Sequence, residues 1–84
     1  MFYVYLLKNE RNQTYLGSTN DLRRRFREHN TNRSTATRGH RWRLVYYEAY
    51  GAESDARRRE TALKDHGQAL SQLKRRVRDS LLKT

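Results

Sequence analysis

The first part of the chain is an apolar run, a polar turn and a second apolar run. Residues 2–7 (FYVYLL) are aromatic, β-branched and aliphatic on both alternating faces, which predicts a strand covered on two sides. Residues 9–13 (NERNQ) contain two asparagines, which tolerate left-handed dihedrals and favour a turn. Residues 14–17 (TYLG) are then the returning strand of a hairpin. With a loop of about four or five residues, we expect Tyr5 to lie opposite Tyr15 within about one position.

Helical and strand patterns alternate along the remainder of the chain. The predicted elements are a helix from Asp21 to His29 or Asn30, a mobile polar loop over 31–40, a strand over 42–50, a helix from Glu53 or Ser54 to near Gly67, and a helix from Ala69 to Leu82. The order β-β-α-β-α-α predicts a small α/β (α+β) fold, with a three-stranded antiparallel sheet flanked by helices. No segment repeats, so we expect residues 1–84 to form one domain.

The last predicted helix carries an apolar stripe. Leu70, Leu73, Val77 and Leu81 recur at helical spacing. Such a stripe suits packing on the helix's own domain, and it equally suits a homodimer formed with a second copy of the chain.

Charge and composition narrow the choice of partners. The 84 residues carry 19 Lys and Arg against 9 Asp and Glu, a net charge of +10, and arginine dominates the cations. A polyanion is therefore the expected partner, and nucleic acid is the one we favour. The absence of cysteine excludes disulfides, thiolate metal sites and a cysteine nucleophile. Without a long apolar run or leader-like start, we expect a cytoplasmic protein that is not in a membrane.

The first helix places two polar residues on its apolar side. At about 100° per residue, Arg25 and His29 share a stripe with Leu22 and Phe26, while the neighbouring arginines point away. Arg25 has an alternative explanation as an arginine that extends from the edge of the stripe to solvent. The alternative explanation for His29 is that it caps the helix or is a hydrogen-bonded core residue near the helix end.

The second helix places one carboxylate on its apolar side. Glu60 lies on the stripe defined by Ala56 and Leu63. Burying an unpaired carboxylate is costly, so Glu60 needs a partner. The structural alternative is an ion pair with Arg25 or Arg59. The functional one is a site for a hard divalent cation that keeps several waters, as magnesium does.

These inward groups exclude several reaction classes and suit one. A glycosidase needs two suitably spaced carboxylates, and only one is placed for the purpose. The chain has no Gly-x-Ser-x-Gly elbow and no glycine-rich phosphate loop. An arginine, a metal-bound carboxylate and a phenol or imidazole that accepts a proton together suit phosphodiester hydrolysis.

The same residues belong to an ordered set of motifs. Residues 3–5 (YVY) and 15–17 (YLG), then 18–30 (STNDLRRRFREHN), 44–48 (LVYYE) and 56–64, resemble the GIY-YIG nuclease superfamily, and especially its small stand-alone bacterial members. The resemblance covers about residues 2–66. The first triplet departs from the pattern at its first two positions, and no asparagine follows Asn32 where the family often has a late one.

The resemblance implies a site and a chemistry. It implies an endonuclease that cuts DNA with one divalent metal, Mg²⁺ or Mn²⁺, similar to intron-encoded and excision-repair relatives. Tyr5 and Tyr15 are the family's paired tyrosines, of which one, more often the first, acts as general base or positions water. Arg25 would hold the scissile phosphate, His29 would assist proton transfer, and Glu60 would bind the metal. The alternative is a nucleic-acid-binding module that keeps the fold without catalysis.

Further basic and aromatic residues are candidates for contacting the substrate. Backbone phosphate contacts are predicted for four arginines of the loop and the following strand: Arg33, Arg38, Arg41 and Arg43. Trp42 either stacks on a base or belongs to the core, and Tyr47 either lines the cleft or belongs to the core. Because these contacts carry little sequence information, we expect selectivity for DNA structure, or a protein partner that supplies specificity. The expected setting is repair or recombination.

Overall fold

The computed structural model describes residues 1–83 and contains one antiparallel sheet. Its strands are β1 (Phe2–Asn9), β2 (Thr14–Thr19) and β3 (Trp42–Tyr50), in the order β2-β1-β3. The helices are α1 (Leu22–Asn30), α2 (Glu53–Asp65), α3 (Gly67–Arg76) and α4 (Arg78–Leu82), and a single 3₁₀ turn spans Thr35–Thr37. The predicted fold class and order of elements are confirmed. Among residues 1–83, no helix has the length and apolar character needed to cross a bilayer.

The central strand β1 is covered on both faces, as its sequence predicts. Val4 and Leu6 pack with Ala56 and Leu63 of α2 in one core, while Tyr5, Leu7 and Trp42 form a second core under α1. Successive strand residues alternate between these faces, which explains a run that is apolar throughout. The α1 face is the one that carries the predicted catalytic tyrosines.

The register of the hairpin differs from the prediction. Tyr5 pairs with Gly17, and Tyr15 pairs with Leu7 instead. The Asn9 side chain accepts hydrogen bonds from the backbone of Arg11 and Gln13, at 2.9 and 3.0 Å, and so stabilises a turn that has the predicted length and is centred on Arg11. This turn displaces the second strand by two residues relative to an exact Tyr5–Tyr15 pairing.

The C-terminal segment is two helices rather than the one predicted. Val77 separates α3 from α4 with a backbone that is not helical (φ −107°, ψ 26°). The apolar stripe packs on the core of its own chain, where Leu73 is buried and Leu70, Val77 and Leu81 lie against it. The alternative of packing on the helix's own domain therefore describes this stripe.

Candidate active site

Three aromatic rings meet on the face of the sheet covered by α1. The Tyr5 hydroxyl is 2.7 Å from Nε2 of His29, and the Tyr15 and His29 ring centroids are 4.9 Å apart. The two tyrosine rings lie 6.4 Å apart. The structure thus brings together both tyrosines and the histidine, although they come from three different elements.

The N-cap and the apolar residues of α1 determine where its side chains lie relative to this cluster. Asp21 is the N-cap, and its carboxylate accepts the backbone N–H of Arg24 at 3.1 Å. Leu22 and Phe26 then pack against the second core, and this fixes the rotation of the helix. His29, almost two turns after Leu22, is carried onto the tyrosines and is fully buried.

A threonine that sequence reasoning missed completes the histidine's environment. Oγ1 of Thr37 is 2.7 Å from Nδ1 of His29, and Thr37 is itself fully buried. Its carbonyl also accepts the indole N–H of Trp42 at 2.9 Å. The segment predicted to be a mobile loop is therefore anchored at Thr37, and no pattern in the sequence sets this threonine apart from its neighbours.

Gly17 provides the space in which the two tyrosines approach each other. A Cβ at this position would lie 2.6 Å from the Tyr5 hydroxyl oxygen and 3.0 Å from Cε2 of Tyr15. Both distances are too short for a non-bonded contact with carbon. Only glycine fits this strand position while the Tyr5 ring stays where it is.

The two tyrosines differ in what their hydroxyls can do. Burial, together with the nearby Tyr15, raises the pKa of Tyr5 to about 12, and the neighbouring Arg25 lowers it only in part. The Tyr5 phenol is therefore protonated at neutral pH and held on His29. Tyr15 is half-buried on the edge strand, and its hydroxyl has no hydrogen-bond partner among residues 1–83. Tyr15 is the phenol that a water molecule can reach.

His29 is kept neutral by its surroundings. Burial, and then the charge of Arg25, lowers the pKa of His29 to about 4 from an ordinary value of 6.5. A neutral imidazole donates from one ring nitrogen and accepts at the other, which matches its two hydroxyl partners, Tyr5 and Thr37. The ring orients Tyr5 and does not reach the surface.

The depressed pKa of His29 predicts that acid destabilises the fold. Between about pH 6.5 and 4 the unfolded chain binds a proton at His29 that the folded chain does not, so this stability is present above pH 6.5 and lost as pH falls. The expected loss from this group is on the order of 3 kcal/mol. Urea unfolding across this range, with an NMR titration of the His29 imidazole, checks it. Titration of His29 near pH 6.5 would contradict the prediction.

Arg25 lies at the border of the cluster. Its guanidinium donates to Oε1 of Glu28 at 3.0 Å and to the Ser34 hydroxyl at 3.3 Å, and its side chain is 30% exposed. Both partners leave the group open on one side to solvent. An arginine in this position can receive a phosphate while remaining oriented by Glu28.

Glu60 approaches from the other face of the sheet. Its carboxylate accepts the Ser18 hydroxyl at 2.6 Å and an ion pair from Lys64 at 2.9 Å. The expectation of a structural pair with Arg25 or Arg59 is wrong, because Lys64 is one helical turn away, whereas the Arg59 guanidinium is held by Glu48 at 3.0 Å.

The two faces come together at the free edge of β2. Ser18 pairs with Val4 and faces α2, while the adjacent Gly17 pairs with Tyr5 and faces α1. Because β2 is an edge strand, no further strand separates Glu60 from the tyrosines there. Glu60 is near enough for its charge to act on Tyr5. Tyr5, Tyr15, His29 and Arg25 thus lie on the α1 side of the sheet, and Glu60 lies on the α2 side, where it is bonded to Ser18 of β2.

The donors at this edge fit a hard divalent cation that keeps water ligands. Partial burial acts to raise the pKa of Glu60, but the hydrogen bonds from Ser18 and Lys64 lower it below its ordinary value, so the carboxylate is ionised at neutral pH. Lys64 is 49% exposed and can move off the carboxylate. Residues 1–83 contain no group of three or more His, Cys, Asp or Glu that could hold a metal ion. One carboxylate with water and substrate oxygens suits magnesium.

The predicted nucleic-acid contacts separate into exposed and engaged residues. Arg33, Arg38 and Arg41 are exposed, whereas Arg43 donates to the α4 carbonyls of Ser80 and Leu81, at 2.9 and 2.7 Å. Trp42 is 8% exposed and belongs to the core, which settles its two alternatives. Tyr47, in contrast, is 52% exposed on the α1 face.

Comparison with known proteins gives the chain a family. The sequence matches the GIY-YIG catalytic domain over residues 1–77. It is similar to a UPF0213 protein of Limosilactobacillus reuteri (strain DSM 20016), with 31% identity over 90 residues that cover 88% of this chain and 94% of the relative. No solved structure matches at a significant level. Because the domain match spans nearly the whole sequence, the chain belongs to the GIY-YIG family of nuclease domains.

Proposed function

We propose that this protein is a metal-dependent endonuclease that hydrolyses phosphodiester bonds in DNA, with a preference for branched, nicked or otherwise distorted structures in repair or recombination. The observation that carries the proposal is the edge of β2, where the Tyr15 hydroxyl, which has no hydrogen-bond partner among residues 1–83, has Arg25 on one side of the sheet and the ionised Glu60 on the other. The net charge of +10 supports a polyanionic substrate.

Each residue of the edge has a separate part in the proposed reaction. The Tyr15 hydroxyl orients the attacking water, and its phenolate form accepts the water's proton as the new P–O bond forms and the P–O bond to the leaving oxygen breaks. Arg25 binds a non-bridging oxygen of the scissile phosphate and stabilises the charge that develops there. Tyr5 and His29 do not contact the substrate; they fix the position of Tyr15 by packing against its ring.

Glu60 is the residue that would hold the metal. Mg²⁺, or Mn²⁺ in its place, would supply Lewis-acid stabilisation of charge on phosphate oxygens. Ser18 orients the carboxylate through its hydrogen bond, and Lys64 neutralises it while no cation is bound. Lys64 also lies near Tyr15. The pKa of Lys64 is raised mainly by its hydrogen bond with Glu60, and Tyr15 contributes to the increase to a smaller extent.

Cleavage of a panel of DNA structures tests the proposal. Labelled duplex, single-stranded, flap and branched DNA are incubated with the purified chain in Mg²⁺, Mn²⁺ or EDTA. We expect cleavage with either metal and none in EDTA, fastest on a flap or branch. The Tyr15→Phe variant, which lacks only the hydroxyl, should cleave at least about 100-fold more slowly and bind DNA as the wild type does. Cleavage in EDTA, or an active Tyr15→Phe variant, would contradict the proposed chemistry.

Two observations favour a second candidate, the noncatalytic nucleic-acid-binding module. Both carboxylate oxygens of Glu60 have partners within the protein, Ser18 and Lys64, and Tyr3 stands where the family's first triplet usually has glycine. Binding of every DNA in the panel without cleavage of any of them, in either metal, is the result that this candidate predicts.

A further inference from the structure

A groove beside the catalytic edge is lined by side chains that the proposed chemistry does not use. It lies between α1 and β3 and has a volume of about 440 Å³. Its lining is mainly apolar and aromatic, with one cation: Tyr3, Leu22, Phe26, Leu44, Tyr47 and Arg23. The groove therefore offers flat apolar surface in a strongly basic protein.

The aromatic wall of the groove consists of two tyrosines in contact. Tyr47 is 52% exposed, and its ring meets that of Tyr3 edge to face, with the centroids 6.0 Å apart. Neither hydroxyl has a hydrogen-bond partner among residues 1–83. In an edge-to-face pair the second ring covers at most one face of the first, so Tyr3 leaves a face of the exposed Tyr47 ring uncovered for a ligand.

The groove has a cation available for an anionic ligand. Arg23 is exposed and has no ion pair among residues 1–83. The lining also contains one acid, Asp21, whose carboxylate accepts the backbone N–H of Arg24 and keeps its charge, so the preference for an anion comes from the protein's net charge of +10. A ligand that combines an aromatic face with a phosphate matches these groups, and a nucleotide has both.

The groove adjoins the cleft that contains Glu60, because Tyr3 lines both. Tyr47 pairs directly with Tyr5 across β1 and β3, so both side chains lie on the same face of the sheet. Arg25, the proposed phosphate ligand, follows Leu22 of the groove by one helical turn. A strand whose scissile phosphate lies at Arg25 therefore has nucleotides close enough to enter the groove.

We propose that this groove binds an unpaired base of the nucleic-acid substrate, with the base stacked on Tyr47 and a flanking phosphate on Arg23. A base within a duplex has both faces covered by its neighbours, so only an unpaired or extruded base can stack on the ring. The inference rests on the proposed function for the identity of the ligand. It gives a physical reason for selectivity toward DNA with unpaired nucleotides.

Binding in EDTA tests the groove without cleavage. A single-stranded oligonucleotide containing 2-aminopurine and a duplex of the same sequence are titrated with wild type and with Tyr47→Ala, Tyr47→Leu and Tyr47→Phe. We expect Tyr47→Ala and Tyr47→Leu to bind the single strand about 5- to 100-fold more weakly, and to bind the duplex unchanged. Tyr47→Phe, which keeps the ring, should bind as the wild type and quench the 2-aminopurine equally.

The remaining outcomes overturn the inference. If Tyr47→Ala bound the duplex as weakly as the single strand, Tyr47 would contact the phosphate backbone rather than a base. If Tyr47→Ala bound the single strand as the wild type does, the groove would not bind a base. A change in oligomeric state by light scattering, with unchanged DNA binding, would assign the groove to a protein interface. Tyr47→Leu controls for the loss of side-chain volume, because it keeps an apolar side chain without the ring. Circular dichroism melting shows whether each variant is folded. The proposed nuclease activity is tested separately. If it were absent, the protein would not cleave DNA in Mg²⁺ or Mn²⁺, but the base would still stack in the groove.

Discussion

Replacing Glu60 by glutamine should abolish metal-dependent cleavage while the protein stays folded and bound to DNA. Glutamine has the shape of glutamate, and its carbonyl oxygen can still accept the Ser18 hydroxyl. It lacks the charge that attracts a divalent cation. Because the metal contributes several kcal/mol to stabilisation of charge on the phosphate, we expect a fall in cleavage rate of about 1,000-fold or more. Single-turnover cleavage of the best substrate in the panel, at saturating Mg²⁺, measures it.

Glu53 provides a matched control for this experiment. It is exposed, lies on the same helix α2 and lines the same 330 Å³ cleft as Glu60, and it forms an ion pair with Arg57 at 3.5 Å. Glu53→Gln removes the same unit of charge from the same cleft, so it should cleave as the wild type does. An equal loss in both variants would mean that general electrostatics, rather than a ligand at Glu60, controls activity. A comparable loss of DNA binding in Glu60→Gln would also count against a metal site.

Stability should change little in Glu60→Gln. The ion pair that is lost joins Glu60 to a lysine that is half exposed, and such pairs are worth about 0–1 kcal/mol. A melting temperature close to that of the wild type therefore accompanies the loss of cleavage. This separates a chemical role for Glu60 from a role in folding.

The elements of the fold could be predicted because they follow from local patterns. β1 is apolar on both faces, and α1 and α2 each have one apolar stripe, so the sequence indicates which faces of these elements are buried. The same stripes located Arg25, His29 and Glu60 as polar residues on inward faces. Three of the five site residues could thus be chosen from periodicity, whereas Tyr5 and Tyr15 were indicated by the predicted hairpin and by the family resemblance, which selects all five.

The contacts between elements could not be predicted in the same way. The register of the hairpin depended on the Asn9 side chain, which stabilises a turn centred on Arg11. The partner of His29 depended on Thr37, one of several threonines in a polar segment. The partner of Glu60 depended on which cation its helix places nearest, and Arg59, next to it in sequence, points to Glu48 instead. Periodicity specifies a face, whereas these contacts require the three-dimensional arrangement.

Gly17 is a residue whose importance follows from the three-dimensional arrangement, because it lies directly against the Tyr5 ring. Gly17→Ala should lower the cleavage rate by about 100-fold or more, because the new methyl group displaces Tyr5 and with it the ring of Tyr15. A Cβ at this position would be 2.6 Å from the Tyr5 hydroxyl oxygen and 2.8 Å from Cζ, inside van der Waals contact. Tyr5 is 1% exposed and bonded to His29, so its ring has no open space to move into. Overpacking of this kind costs about 1–3 kcal/mol of stability.

Gly67→Ala is the control for Gly17→Ala. Gly67 begins α3, and a Cβ there would meet nothing within 4 Å. Alanine at this helical position should leave cleavage unchanged and stability equal or raised by up to about 1 kcal/mol. Both variants are compared by urea unfolding, by cleavage and by the NMR signals of the His29 ring, which should shift only in Gly17→Ala. If Gly17→Ala were as active as the wild type with its His29 signals unmoved, the close approach of Tyr5 to β2 would not be what positions Tyr15.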